Sequence, residues 1–192
     1  MMHISYLKNS CWSDWTREER FFCSSLYEQA KQRLGEFIAL INLKTDLALD
    51  EDIEWDIGYE VCFYRDYLWQ KNTLPIKSSK YSSKRTFDLC LFSEDTIVII
   101  EAKVFSLFER EDGEKLAKDK KHLPEILNRP NLRVLTLALA SSVYFNNHAK
   151  FGAPEILQPY DAKLTWLSLF ENYGNKLFGT ADRLYKSKPR YI

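Results

Sequence analysis

The strongest constraint on the fold is a pair of β-prone runs around a short polar break. Arg85-Thr86-Phe87-Asp88-Leu89-Cys90-Leu91-Phe92 leads into Ser93-Glu94-Asp95-Thr96, and Ile97-Val98-Ile99-Ile100-Glu101-Ala102-Lys103 follows. Such a pattern reads as a hairpin. A turn centred between Glu94 and Asp95 pairs Ser93 with Thr96 and, in the same register, Asp88 with Glu101. Directly opposed residues lie about 5 Å apart at Cβ, and strand alternation gives Lys103 the face of Glu101. Two carboxylates that close, with no compensating cation, resist joint ionisation. A hard divalent ion relieves the conflict, because Mg²⁺ takes a few carboxylate oxygens and keeps several waters. Asp88 and Glu101 are therefore candidate metal ligands.

The surrounding pattern is α/β. Residues 97–100 have no polar face, and 132–144 form a long apolar run with little alternation; both read as strands buried on two faces. Between them, 113–127 reads as a helix on a Leu116, Leu123 and Leu127 stripe, with Pro124 predicting a kink or break. Strand, helix and strand make a β-α-β unit, so 97–102 and 134–140 should lie parallel with a right-handed crossover. Upstream, Thr16-Arg17-Glu18-Glu19 reads as a capping box. Phe22, Cys23, Leu26, Ala30, Leu34, Phe37 and Ile38 then recur at helical spacing. Residues 57–64 are rich in aromatic and β-branched types and read as a strand. Residues 164–170 suggest a further strand, and the chain closes in a helical, basic tail. The expectation is one domain over residues 1–192, a central mixed sheet flanked by helices, with a core at about 16–140 and an extension at 141–192.

Composition narrows the function. A chain of 192 residues is long enough for a substantial core. Its formal net charge is zero, so contact with nucleic acid must use local basic patches. One such patch is the polar stretch 77–85, where Lys77, Lys80, Lys84 and Arg85 surround Tyr81 with no acidic residue; these are candidate phosphate contacts. The four cysteines are widely spaced, which gives a zinc module or disulfide scaffold little support and favours free thiols. No apolar run is long enough to span a bilayer and the first ten residues lack a signal core, so a cytoplasmic location is expected.

The order helix, strand, hairpin with Asp88 on one arm and Glu101-Ala102-Lys103 on the other, helix, buried strand resembles the PD-(D/E)xK nuclease superfamily, the restriction-endonuclease-like fold. One departure is visible: Phe87 stands where that family has a proline before the aspartate. The resemblance implies a metal-dependent nuclease, endonuclease or exonuclease, that hydrolyses phosphodiester bonds of nucleic acid, with DNA favoured over RNA. It implies Mg²⁺ or Mn²⁺ held by Asp88, Glu101 and the Ala102 carbonyl, with Lys103 orienting or helping to deprotonate the attacking water. It further implies a glutamate from the first helix, for which Glu19 is the first candidate, Glu28 and Glu36 follow, and Glu60 on the preceding strand is another. A homodimer is an expectation of the same kind. Two other readings compete. Glu19 at a helix start is equally a cap, and the whole chain is alternatively an inactive nuclease-like fold that binds a nucleic acid or protein partner. A glycoside hydrolase needs one protonated carboxyl, and Lys103 works against that.

Overall fold

β3 (Thr96–Ala102) is buried along its whole length and lies at the middle of a five-stranded sheet. The computed structural model describes residues 11–71, 85–151 and 154–185. The strands run in chain order: β1 (Asp56–Val61), β2 (Phe87–Phe92), β3, β4 (Arg133–Ala140) and β5 (Ala162–Thr165). β1–β2 and β2–β3 are antiparallel, β3–β4 and β4–β5 parallel. The mixed α/β architecture is the one expected. So is the hairpin register, in which Leu89 faces Ile100, Cys90 faces Ile99, Leu91 faces Val98 and Phe92 faces Ile97. The Ser93 N–H donates to the Thr96 carbonyl at 2.8 Å and closes the turn.

The helices are α1 (Glu19–Gln32), α2 (Leu34–Lys44), α3 (Leu68–Gln70), α4 (Arg110–Ile126), α5 (Ser142–Phe151), α6 (Trp166–Tyr173) and α7 (Lys176–Leu184). The pleat sends alternate strand residues to opposite faces. Leu89, Val98 and Ile100 join a core with Phe22, Leu26, Phe37, Ile41, Trp166 and Phe178, from α1, α2, α6 and α7. Cys90, Ile97 and Ile99 join a second core with Leu116, Leu123, Phe108, Tyr144 and Tyr160, on the side of α4 and α5. Each fully buried aliphatic or phenyl side chain stabilises the fold by about 1.5–3 kcal/mol relative to exposure.

Four expectations need correction. The stripe at 22–38 is carried by two helices, because Arg33 leaves the helical region at φ −140°, ψ 50° and Gly35 weakens the helix locally. The apolar run from 132 is strand only to Ala140, and Ser142 opens α5. There the Asp182 carboxylate on α7 accepts the Ser142 N–H at 2.7 Å and its hydroxyl at 2.8 Å, a cap supplied from a distant helix. The strand foreseen at 164–170 stops at Thr165, whose hydroxyl accepts the Ser168 N–H at 2.9 Å and starts α6. Pro124 does not break α4, which runs to Ile126 before Arg129 donates back to the Pro124 carbonyl at 2.8 Å. Cys23, Cys62 and Cys90 are buried and Cys11 is exposed, none of them in a disulfide. Trp166 is fully buried, whereas Trp12, Trp15 and Trp69 are exposed. No helix among the described residues is long and apolar enough to cross a membrane.

Candidate functional site

The site forms where β2 begins and β3 ends. Asp88 reaches across the hairpin, and its Oδ2 accepts the Ala102 N–H at 2.8 Å. Glu101 is only 8% exposed, and its Oε1 receives Arg85 Nη2 at 2.6 Å. Arg85 also donates from Nε to Asp119 Oδ2 at 2.9 Å, which ties the start of β2 to α4. Lys103, one residue past β3, points its ammonium to Glu19 Oε1 at 3.5 Å. The other Glu19 oxygen accepts the Val104 N–H at 3.2 Å and the Ser106 hydroxyl at 3.4 Å.

Backbone bonds hold Lys103 in place. Its N–H donates to the Leu139 carbonyl at 2.7 Å, and its own carbonyl accepts the Trp166 indole N–H at 3.0 Å. The strand has ended, so alternation no longer governs Lys103. It turns to α1 rather than to the Arg85–Asp119 side occupied by Glu101, a correction to the shared face expected above.

The electrostatics follow from burial. Desolvation raises the Glu101 carboxyl to about 8, with Arg85 pulling it down and Asp88 pushing it further up. Desolvation also raises Asp88, against the Ala102 N–H and Lys103, which favour the anion. Glu19 is raised for the same reason, opposed by Lys103. Burial disfavours the charged form of Lys103, but Glu19, Asp88 and Glu101 outweigh it and its pKa is raised. Lys103 therefore stays an ammonium at neutral pH. The fold gathers four carboxylates (Glu19, Asp88, Glu101 and Asp119) and two cations (Arg85 and Lys103) in a largely buried cluster, and titratable groups perturbed together in this way mark a candidate functional site.

The first helix contributes as foreseen in place but not in the capping role. Glu18 occupies the cap position of α1, and Thr16 only accepts the Glu18 N–H at 3.2 Å. Glu19 is freed to reach the segment after β3. Glu28 and Glu36 are exposed, with Glu36 paired to Arg33 at 2.9 Å, so neither joins the cluster. Glu60 sits at φ +53° near the end of β1 and pairs with Arg20 at 3.3 Å. Its charge reaches Asp88, placing it at the margin of the site. Lys77, Lys80 and Lys84 lie outside the described residues. Arg85 is a component of the acidic cluster itself. Among the helix lysines, Lys120 is bound to Asp161 at 2.7 Å and fastens α4 to the start of β5.

Asp119 is the residue that sequence reasoning missed. Its signal was present: a carboxylate set three and four residues from Leu116 and Leu123, inside the apolar stripe of α4, needs a buried partner. Tyr160 was also missed. Its hydroxyl is buried without a hydrogen-bond partner among the described residues, and its acidity feels the Glu101 charge.

Among the described residues no group of three or more His, Cys, Asp or Glu is arranged to hold a metal ion. A hydrated divalent ion needs only one or two carboxylates, and those that could serve are Asp88 and Glu101, whose partners here are the Ala102 N–H and Arg85. No protein-family model, curated protein or solved structure matches this chain.

Proposed function

We propose that the chain is a metal-dependent nuclease of PD-(D/E)xK type with a restriction-endonuclease-like core, hydrolysing phosphodiester bonds of nucleic acid, DNA in preference to RNA. The supporting observation is that Asp88, Glu101 and Lys103 lie at one end of the β2–β3 hairpin, Asp88 bonded to the Ala102 N–H, Glu101 to Arg85, and Lys103 to Glu19 from α1. Asp88, Glu101 and the Ala102 carbonyl would hold Mg²⁺ or Mn²⁺. A bound ion of this kind neutralises phosphate charge and makes its water a stronger nucleophile. The residues do the rest. Lys103, held charged by its carboxylate neighbours, serves as a positioner of the water and a stabiliser of the phosphorane oxygens rather than as a base. Glu19 fixes the Lys103 ammonium and the chain that follows it, which preserves the in-line geometry that displacement at phosphorus requires.

A second reading has its own observation. Arg85 pairs directly with Glu101 at 2.6 Å, a contact that a non-catalytic nuclease-like binder would use to hold this carboxyl. Cleavage separates the two. The wild type should cut DNA only with Mg²⁺ or Mn²⁺, and Asp88→Ala and Glu101→Ala should abolish cutting while circular dichroism shows an intact fold. Equal cleavage by wild type and both variants defeats the nuclease reading; metal-independent binding of nucleic acid without cleavage establishes the second.

A further inference from the structure

Glu60 carries a backbone cost in an otherwise regular strand. Its φ is +53°, a left-handed conformation that residues with a side chain rarely adopt and that clusters at functional sites. β1 and β2 pair so that Tyr59 faces Leu89 and Val61 faces Phe87, which sets Glu60 opposite Asp88. At this point both strands change face. Tyr59 and Leu89 pack on the α1 side of the sheet, whereas Val61 and Phe87 pack on the α4 side. Gly58 shows the same switch: a Cβ there would lie 2.6 Å from the Val61 side chain, which strict alternation would send to the other face.

Two bonds run from this point to the start of α1. Glu60 Oε1 meets Arg20 Nε at 3.3 Å, and the Tyr59 hydroxyl donates to the Arg20 carbonyl at 3.1 Å. The Arg20 side chain is 70% exposed, and its two Nη groups have no partner among the described residues. An exposed ion pair contributes little to stability, so fold energy does not account for a carboxylate held in a strained conformation. What the pair does is orient a guanidinium. With Nε taken by Glu60, the outer edge of the planar group stays open. That edge stands at the margin of the carboxylate cluster, because Arg20 follows Glu19, the partner of Lys103, and Glu60 opposes Asp88.

We propose that Arg20, oriented by Glu60, grips a backbone phosphate of the nucleic acid next to the one that is cut. The two Nη groups match two phosphate oxygens, and such contacts fix the register of the strand without reading its sequence. Arg20 makes the contact and Glu60 is a positioning residue. The inference rests on the reading that nucleic acid enters this site.

The test follows binding of a labelled DNA duplex by fluorescence anisotropy at several salt concentrations in EDTA, with KM and kcat for cutting measured in parallel in Mg²⁺. Arg20→Ala should weaken binding about tenfold, lower the salt slope by about 1, and raise KM more than it lowers kcat. Glu60→Gly and Glu60→Gln both remove the negative charge, but only glutamine keeps an acceptor for Arg20 Nε. Glu60→Gln should therefore bind DNA several-fold more tightly than Glu60→Gly, and that difference should vanish when Arg20→Ala is added to each. Glu60→Gly should unfold at a higher urea midpoint than Glu60→Gln, since glycine accepts positive φ; a lower midpoint removes the strain on which the positioning role is built. Equal affinity of the two Glu60 variants overturns that role, and an unchanged affinity, KM and salt slope in Arg20→Ala overturns the phosphate contact while the nuclease reading stands. A wild type that neither binds nor cuts DNA removes the nucleic-acid reading and this inference with it.

Discussion

Replacing Glu101 with glutamine should flatten the dependence of stability on pH. Burial raises this carboxyl from 4.5 to about 8, even with Arg85 beside it. An acid with a higher pKa folded than unfolded keeps its proton in the native state over the interval where the unfolded chain has released it. Its contribution to stability is full below about pH 4.5 and is lost progressively as pH rises to about 8. At 1.36 kcal/mol for each pH unit, the ceiling on that loss is about 5 kcal/mol. Asp88, Glu19 and Asp119 are raised in the same direction by burial and add to the wild-type slope. Comparison with Glu101→Gln isolates one residue, because the glutamine side chain has the shape of the protonated acid and cannot ionise. Urea unfolding at constant ionic strength, with EDTA present, gives the free energy at each pH. The stability of the variant relative to wild type should rise by roughly 2–5 kcal/mol between pH 4.5 and pH 8.5. Parallel curves across that window would refute the claim that the Glu101 carboxylate is desolvated at a cost to the fold.

Lys103→Ala should lower the single-turnover cleavage rate by about 10²–10³-fold, as removal of a transition-state donor does, while the Mn²⁺ affinity measured by calorimetry changes little. An unchanged rate removes Lys103 from the chemistry. Trp166→Phe keeps the ring but removes the N–H that holds the Lys103 carbonyl, and should cost about 1–3 kcal/mol in urea unfolding. A loss below a few tenths of a kcal/mol would mean that this bond does not fix the segment. Glu19→Ala leaves the Val104 N–H and Ser106 without their acceptor and should slow cleavage about tenfold or more through lost positioning. Full activity in that variant returns Glu19 to a structural role.

The hairpin was legible because its signals are local. Two apolar strands, a polar turn and an alternation of faces define the register that pairs Leu89 with Ile100; the ladder ends there, and Asp88 bonds the Ala102 N–H. The parallel β3–β4 pair was legible for a related reason, since strands buried on both faces carry unbroken apolar runs. What could not be read depended on distant partners. Asp182 caps α5 from another helix, so an apolar run that looks like continuous strand turns helical at Ser142. Glu19 sits where a capping glutamate belongs, but its acceptors are spent on Val104 and Ser106, far along the chain. Arg85 read as one cation of a basic loop, because nothing nearby in sequence announces that Glu101 and Asp119 converge on it.

The central claim is tested most directly by diffraction from crystals soaked in Mn²⁺ and recorded at the manganese absorption edge. One anomalous peak should appear between the Asp88 and Glu101 carboxylates, within coordination distance of the Ala102 carbonyl. A map with no peak there at saturating Mn²⁺ would contradict the account.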